Sequence, residues 1–167
     1  MNENIIITYT GKRGEMKGKE FVIILDDAGL KLYNRYPWYV GKQGNGYYLI
    51  RTDKNKTVRF HREIMSAKKG QEIDHISRDT LDNRKCNLRI VTSSQNNMNS
   101  GMQKNNSSGH RGVFWYKRSN KWRVQIRLNS KLYHLGYFTD YTLACQTYDG
   151  KAKELFGEYL GETGVDL

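Results

Sequence analysis

Short stretches of this chain alternate apolar and polar positions with a period of two or run as β-branched segments, and only a few keep helical spacing. Phe21-Val-Ile-Ile-Leu25 is a β-branched run halted by Asp26-Asp27, so it predicts a strand followed by one or two helical turns through Tyr33. Gly44-Asn45-Gly46 between aromatic runs predicts a hairpin over 38–51. Asn55 marks a further turn, and Val58-Arg59-Phe60 another strand. His61 to Lys69 reads as helix, stopping at Gly70. Glu72 to Ile76 alternates as a short strand, Asp79 to Lys85 is a polar loop, and Asn87 to Thr92 is a second strand with Leu88 and Ile90 on one face. Thr92 or Ser93 then caps a helix reaching about Ser100.

Gln103 to Gly109 has the composition of a linker. Beyond it, strands are predicted at 111–117, 121–128 and 131–137, with turns at Ser119-Asn120 and Asn129-Ser130. Asp140 starts a helix that carries Ala144, Tyr148, Ala152 and Leu155 on one face. The expected fold is α+β. A β-rich segment (1–57) leads into a strand–loop–strand–helix motif (58–102); a linker (103–109), a three-stranded antiparallel sheet packed on one helix (110–160) and a tail (161–167) follow.

Charge changes this picture by singling out one region. The formal net charge is +11, yet residues 83 to 139 contain no Asp or Glu. That stretch holds 11 of the 28 basic residues, which leaves 17 to balance all 17 acidic ones elsewhere. A surface so one-signed suits a polyanion, because Lys and Arg release counterions condensed on phosphates. The two cysteines, Cys86 and Cys145, form no CxxC pair, so no structural zinc is expected, and Cys145 reads as a small core residue. The N-terminus lacks the order of a secretory signal and no apolar run spans a bilayer, so a soluble, cytoplasmic protein with no membrane partner is expected.

Hydrolysis of a phosphodiester needs an activated water, a cation on the phosphate and a group that aims the base. In a strand Asp74 and His75 point to opposite faces, as a metal ligand and a base do. Asn87 is a candidate partner for the imidazole, and the amide oxygen of Asn96 is an acceptable hard ligand. Asp79 and Asp82 lie in DTLDNR, which has the chemistry of a turn.

The strings VRFHREIM, EIDHI and LDNRKCNLRIVTSSQNN together resemble the zinc-free HNH endonucleases of the ββα-metal kind found in phages and group I introns. The resemblance implies that His75 is the general base, that Asp74 and Asn96 hold a single Mg²⁺ or Mn²⁺, and that Asn87 orients His75. It also covers His61, as a support of the motif or a DNA contact, and Arg62, as a support or phosphate contact.

In Lys121–Leu128 the apolar Trp122, Val124 and Ile126 alternate with Arg123, Gln125 and Arg127, which puts the polar set outward. Arg and Gln pair bidentately with guanine and adenine edges in a major groove. The segment from His110 to Tyr159 resembles the AP2 DNA-binding domain through RGV, KW-x-x-x-I-R, LGYF and A-x₃-YD. That resemblance implies contacts to double-stranded DNA from Arg111, Tyr116, Gln125, Arg127, His134 and Tyr137, with Arg118 and Arg123 as added basic groups. Alternation assigns Trp122 to the core instead. The function expected is a metal-dependent DNA endonuclease of homing type, phage- or intron-encoded in a bacterial host, with its oligomeric state left open. The alternatives are a DNA-binding regulator with an inactive HNH scaffold and, on the aromatics Phe114, Trp115 and Tyr116, an RNA-binding protein.

Overall fold

The β-branched runs at the start of the chain fold as the antiparallel pair β1 (Ile5–Thr10) and β2 (Glu20–Leu25), with Ile5 opposite Leu25 and Thr10 opposite Glu20. The structure is a computed structural model that describes residues 4–12, 14–102, 105–161 and 163. The chain divides into two compact units, residues 1–91 and 92–167.

In the N-terminal unit Asp26 ends β2 and caps α1 (Asp27–Arg35), its Oδ1 accepting from the Gly29 N–H at 2.8 Å. The predicted hairpin forms as β3 (Tyr39–Gln43) and β4 (Gly46–Asp53), and β5 (Lys56–Arg59) extends it to a three-stranded antiparallel sheet in the order β3-β4-β5. The β4–β5 turn places Lys54 and Asn55 at φ of 44° and 64°, the left-handed pair that a two-residue hairpin needs. The helix expected over 61–69 is shorter, α2 (Phe60–Ile64). Ser66 turns to a φ of 49°, and the Arg62 guanidinium takes the carbonyls of Lys68 at 2.9 Å and Gln71 at 2.6 Å, which fixes the stretch as a loop.

The predicted strand–loop–strand becomes β6 (Glu72–His75) and β7 (Leu88–Val91), an antiparallel pair with Asp74 opposite Arg89 and His75 opposite Leu88. On β7 the buried pair is Leu88 and Val91, while Ile90 is 44 % exposed. A two-stranded sheet four residues long covers its faces unevenly, so strict alternation fails there. One core joins Ile23, Leu25, Trp38, Val40 and Leu49 to Phe60 and Leu81. It therefore crosses the boundary expected at 57/58.

The C-terminal unit begins with α3 (Ser93–Asn99), closed by a capping box between Thr92 and Gln95. Its sheet runs β10-β9-β8, all antiparallel, from β8 (Val113–Tyr116), β9 (Lys121–Leu128) and β10 (Lys131–Phe138). Helix α4 (Tyr141–Phe156), capped by Asp140, buries Ala144, Cys145, Tyr148, Ala152 and Phe156 against Val113, Val124, Ile126 and Met98. Cys145 is thus a core residue, as its helical position suggested. Gly112, at a φ of 70°, lets the chain pass the Tyr148 ring; a Cβ there would lie 2.0 Å from Tyr148 Cε2.

The linker expected at 103–109 is not a free spacer in its described part. Gln103 and Lys104 lie outside the described residues. Asn106 Oδ1 accepts from the N–H groups of Ser108 at 2.9 Å and Gly109 at 3.1 Å, and the Tyr141 hydroxyl donates to the Ser108 carbonyl at 2.7 Å. Of the expected tail, the Gly161 N–H donates to the Met98 carbonyl at 3.1 Å and the Thr163 carbonyl accepts from the Arg111 N–H at 2.7 Å.

Candidate active site

Asp74 and His75 end β6 side by side, and both are buried, at 6 % exposure each. Being adjacent in a strand, they face opposite ways and meet different neighbours. Across the β6–β7 pair, Arg89 donates to Asp74 Oδ2 from Nε at 2.8 Å, and its Nη2 lies 2.8 Å from the same oxygen. This guanidinium holds the orientation of the carboxylate.

His75 faces a cluster of rings. The His61 imidazole, from α2, stands edge-on to it with centroids 5.1 Å apart, and the Tyr48 ring of β4 lies 6.4 Å from His75 and 5.7 Å from His61. Burial drives the His61 pKa down to about 3, with further lowering from His75, Arg59 and Arg62. Its buried Nδ1 has no hydrogen-bond partner. Burial also lowers the His75 pKa, opposed by the Asn83 side chain and by the negative charges of Asp74, Asp79 and Asp82. Both imidazoles are therefore neutral near pH 7, the state in which a nitrogen can accept a proton.

The loop between β6 and β7 corrects one sequence expectation. Asn87 was expected to orient His75, but its side chain clamps the loop. Asn87 Oδ1 accepts from the Ser77 N–H at 2.9 Å, and its Nδ2 donates to the Asp82 carbonyl at 2.8 Å. Asn83 is 1 % exposed and its Nδ2 donates to the Leu81 carbonyl at 3.1 Å; its side chain favours the protonated form of His75, although its buried Oδ1 has no hydrogen-bond partner among the described residues. Sequence reasoning missed Asn83 because DNR carries an ordinary turn signal. The turn assignment of its neighbours agrees with the structure, since Asp79 Oδ1 accepts from the Leu81 N–H at 2.9 Å. Asp82 is buried and binds Arg84 through both oxygens, at 2.8 and 2.6 Å.

Arg62 is likewise corrected as a phosphate contact, because its guanidinium holds the carbonyls of Lys68 and Gln71. Asn96 is half-buried on α3, in the C-terminal unit. Among the described residues no three His, Cys, Asp or Glu side chains group as a metal cluster. What the N-terminal unit offers a cation is one oriented carboxylate, Asp74, a hard donor of the sparse kind that Mg²⁺ accepts when waters and substrate phosphate complete its shell.

The second set of expected residues lies on the outer face of the C-terminal sheet. Phe114, Arg123 and Tyr137 are neighbours across its three strands, and Gln125 lies opposite His134. A bulge between His134 and Gly136 puts His134 and Tyr137 on the same face, with their rings 4.6 Å apart. Simple alternation would have separated them. The Arg123 guanidinium lies 5.5 Å over the Tyr116 ring and 6.0 Å over Phe114. Arg127 is exposed, and Arg118 in the β8–β9 turn borders a cleft with Tyr116, Lys121 and Tyr137. Phe114 and Leu132, missing from the expected contacts, are 41 and 49 % exposed beside them. Trp122 packs inward on Tyr141 with centroids 4.7 Å apart, as the alternation required.

Arg111 departs from its expected role. Its Nη1 donates to the carbonyls of Asn97 at 2.9 Å and Met98 at 3.2 Å, and its Nη2 to that of Ser100. It caps the C-terminal end of α3, where a cation also meets the negative end of the helix dipole.

No helix among the described residues is long and apolar enough to cross a membrane. No solved structure matches the chain significantly. The family model described as HNH endonuclease matches residues 58–98, which span α2, β6, the loop, β7 and most of α3. The chain is 32% identical over 81 residues to "Protein 3.8" of Escherichia phage T7, covering 46% of this chain and 67% of that protein. It is also 30% identical over 167 residues to "Uncharacterized HNH endonuclease L560" of Acanthamoeba polyphaga mimivirus, covering 96% of this chain and 83% of the relative. That likeness runs nearly end to end, the family model spans the Asp74-His75 pair and its loop, and the chain belongs to the HNH endonuclease family.

Proposed function

We propose that the chain is a metal-dependent endonuclease that hydrolyses phosphodiester bonds of double-stranded DNA, at sites selected by the C-terminal sheet. The observation that carries this reading is the buried, neutral His75 imidazole, set beside an oriented carboxylate and facing a second neutral imidazole. His75 accepts the proton of the attacking water, and the water oxygen forms the new bond to phosphorus as the bond to the leaving oxygen breaks. The resulting imidazolium is stabilised by the charges of Asp74, Asp79 and Asp82 and by the Asn83 side chain, all of which favour its protonated form.

Asp74 would hold Mg²⁺ or Mn²⁺ through a carboxylate oxygen, and Asn96 would be the second donor that the family resemblance implies. When bound, the cation neutralises charge on the scissile phosphate and its leaving oxygen. Arg89 keeps Asp74 in register for that task. On the sheet, Arg127 and Gln125 supply base-edge contacts, while Arg118 and Arg123 supply phosphate contacts. The AP2-like mode of recognition and the homing role belong to the same reading. One catalytic centre per chain makes nicking the expected product.

The test is incubation of supercoiled plasmid with Mg²⁺ or Mn²⁺, comparing the native chain with His75→Ala. The native chain is expected to nick, and the variant to lose activity by about 10²- to 10⁴-fold. Plasmid left intact by the native chain with both metals favours the regulator with an inactive scaffold. Cutting equally strong in His75→Ala removes His75 as the base.

A further inference from the structure

The loop that faces His75 is held from an unexpected quarter. Residues 80 to 85 are bonded one after another to the segment before the HNH motif. The Thr80 hydroxyl donates to the Tyr47 carbonyl at 2.5 Å. The Ile24 N–H donates to the Leu81 carbonyl at 3.1 Å, and the Asn83 N–H to the Ile24 carbonyl at 2.8 Å, so that Ile24 and Asp82 form a parallel bridge on the edge of β2. Arg84 reaches Asn4 Oδ1 at 2.7 Å.

Asp26 completes the series. Its Oδ1 caps α1 at the Gly29 N–H, and its Oδ2 accepts from the Lys85 N–H, also at 2.8 Å. A helix cap needs one oxygen only. The second oxygen of this buried carboxylate joins positions 59 residues apart, just beyond Asn83. A carboxylate whose two oxygens each accept a backbone N–H is a rigid staple, since its removal orphans both donors.

We propose that Asp26 is a positioning residue of the nuclease centre, and that the β2 edge is the template on which the loop carrying Asn83 is set against His75. The segment before residue 58, expected only as a scaffold, is then part of the active site. This inference rests on the reading of His75 as the base. Its prediction differs from that of a simple helix cap, because Ser at position 26 can still cap α1 but cannot reach the Lys85 N–H as well.

The experiment measures single-turnover cleavage across DNA concentrations for the native chain, Asp26→Ser and Asp26→Asn, with melting curves and backbone amide exchange over 80–87. Asp26→Asn keeps the native shape while turning one acceptor into a donor, which guards against a Ser variant that fails to fold. Both variants are expected to lower kcat about 10- to 100-fold with KM changed by less than about twofold, and to lower the melting temperature while leaving the chain folded. The Lys85 amide is expected to exchange at least about tenfold faster. A kcat within about twofold of native, or a KM that rises in step with the loss of kcat, overturns the proposal. A native chain that cleaves nothing sinks the nuclease reading instead. In that case the Lys85 amide still decides whether Asp26 sets the loop, and unchanged exchange overturns this inference by itself.

Discussion

The loop of the N-terminal unit and the sheet of the C-terminal unit draw on similar polar residues and use them in contrary ways. Asp26, Asp82, Asn83 and Asn87 are all buried, and their side chains bind mainly the backbone or, in Asp82, the neighbouring Arg84. Arg123, Gln125, Arg127 and His134 stand on an open face among exposed aromatic rings. The first arrangement fixes geometry, which proton transfer demands, since small misplacements of a base cost rate. The second leaves donors available to a large, variable partner. Polar composition alone does not distinguish the two, but the direction of each side chain does.

The largest effects should come from loosening the closed loop. Asn87→Ala orphans the Ser77 N–H and the Asp82 carbonyl, so kcat is expected to fall about 100-fold and the melting temperature to fall with it. Asn83→Ala is expected to reduce kcat about 10- to 100-fold, because it removes a buried side chain that favours protonated His75. Single-turnover rates beside melting curves check both. Full activity in Asn83→Ala would return the orienting role to Asn87.

A smaller effect separates the units by pH. His61 has a folded-state pKa near 3, far below the ordinary 6.5, because of its burial. As pH falls the unfolded chain takes up this proton first, so the native state loses stability from about pH 6.5 down toward 3 and keeps it above that window. Melting curves should fall more steeply over this range in the native chain than in His61→Gln. Parallel slopes would show that His61 is not the titrating group.

The legible and illegible parts of the molecule follow the range of the interactions. The alternation in 121–128 is local, and it placed Trp122 inward and Arg123, Gln125 and Arg127 outward, as the structure has them. The caps Asp26, Thr92 and Asp140 lie within one helical turn of their targets, and the element boundaries there follow the sequence closely. The bulge at His134 leaves no periodic trace. Nor does the bridge from Ile24 to Asp82, which joins distant parts of the chain through backbone groups that every residue carries. For the same reason the sequence displays Asn83 and Asn87 alike, and only the fold shows that both amides bind loop carbonyls. Arg62 looked like a phosphate contact and Arg111 like a DNA contact because charge and motif are visible in sequence, whereas the loop and helix carbonyls that occupy them are not.

The central claim is that His75 carries the cutting and the C-terminal sheet the binding. It is tested most directly by measuring DNA affinity and single-turnover cleavage on the same preparations of His75→Ala and Arg127→Ala. His75→Ala is expected to bind DNA within about twofold of native while cleavage falls at least about 100-fold. Arg127→Ala is expected to raise Kd about 5- to 100-fold while the rate at saturating DNA stays within about threefold of native. Loss of binding and cleavage together in both variants would contradict the account.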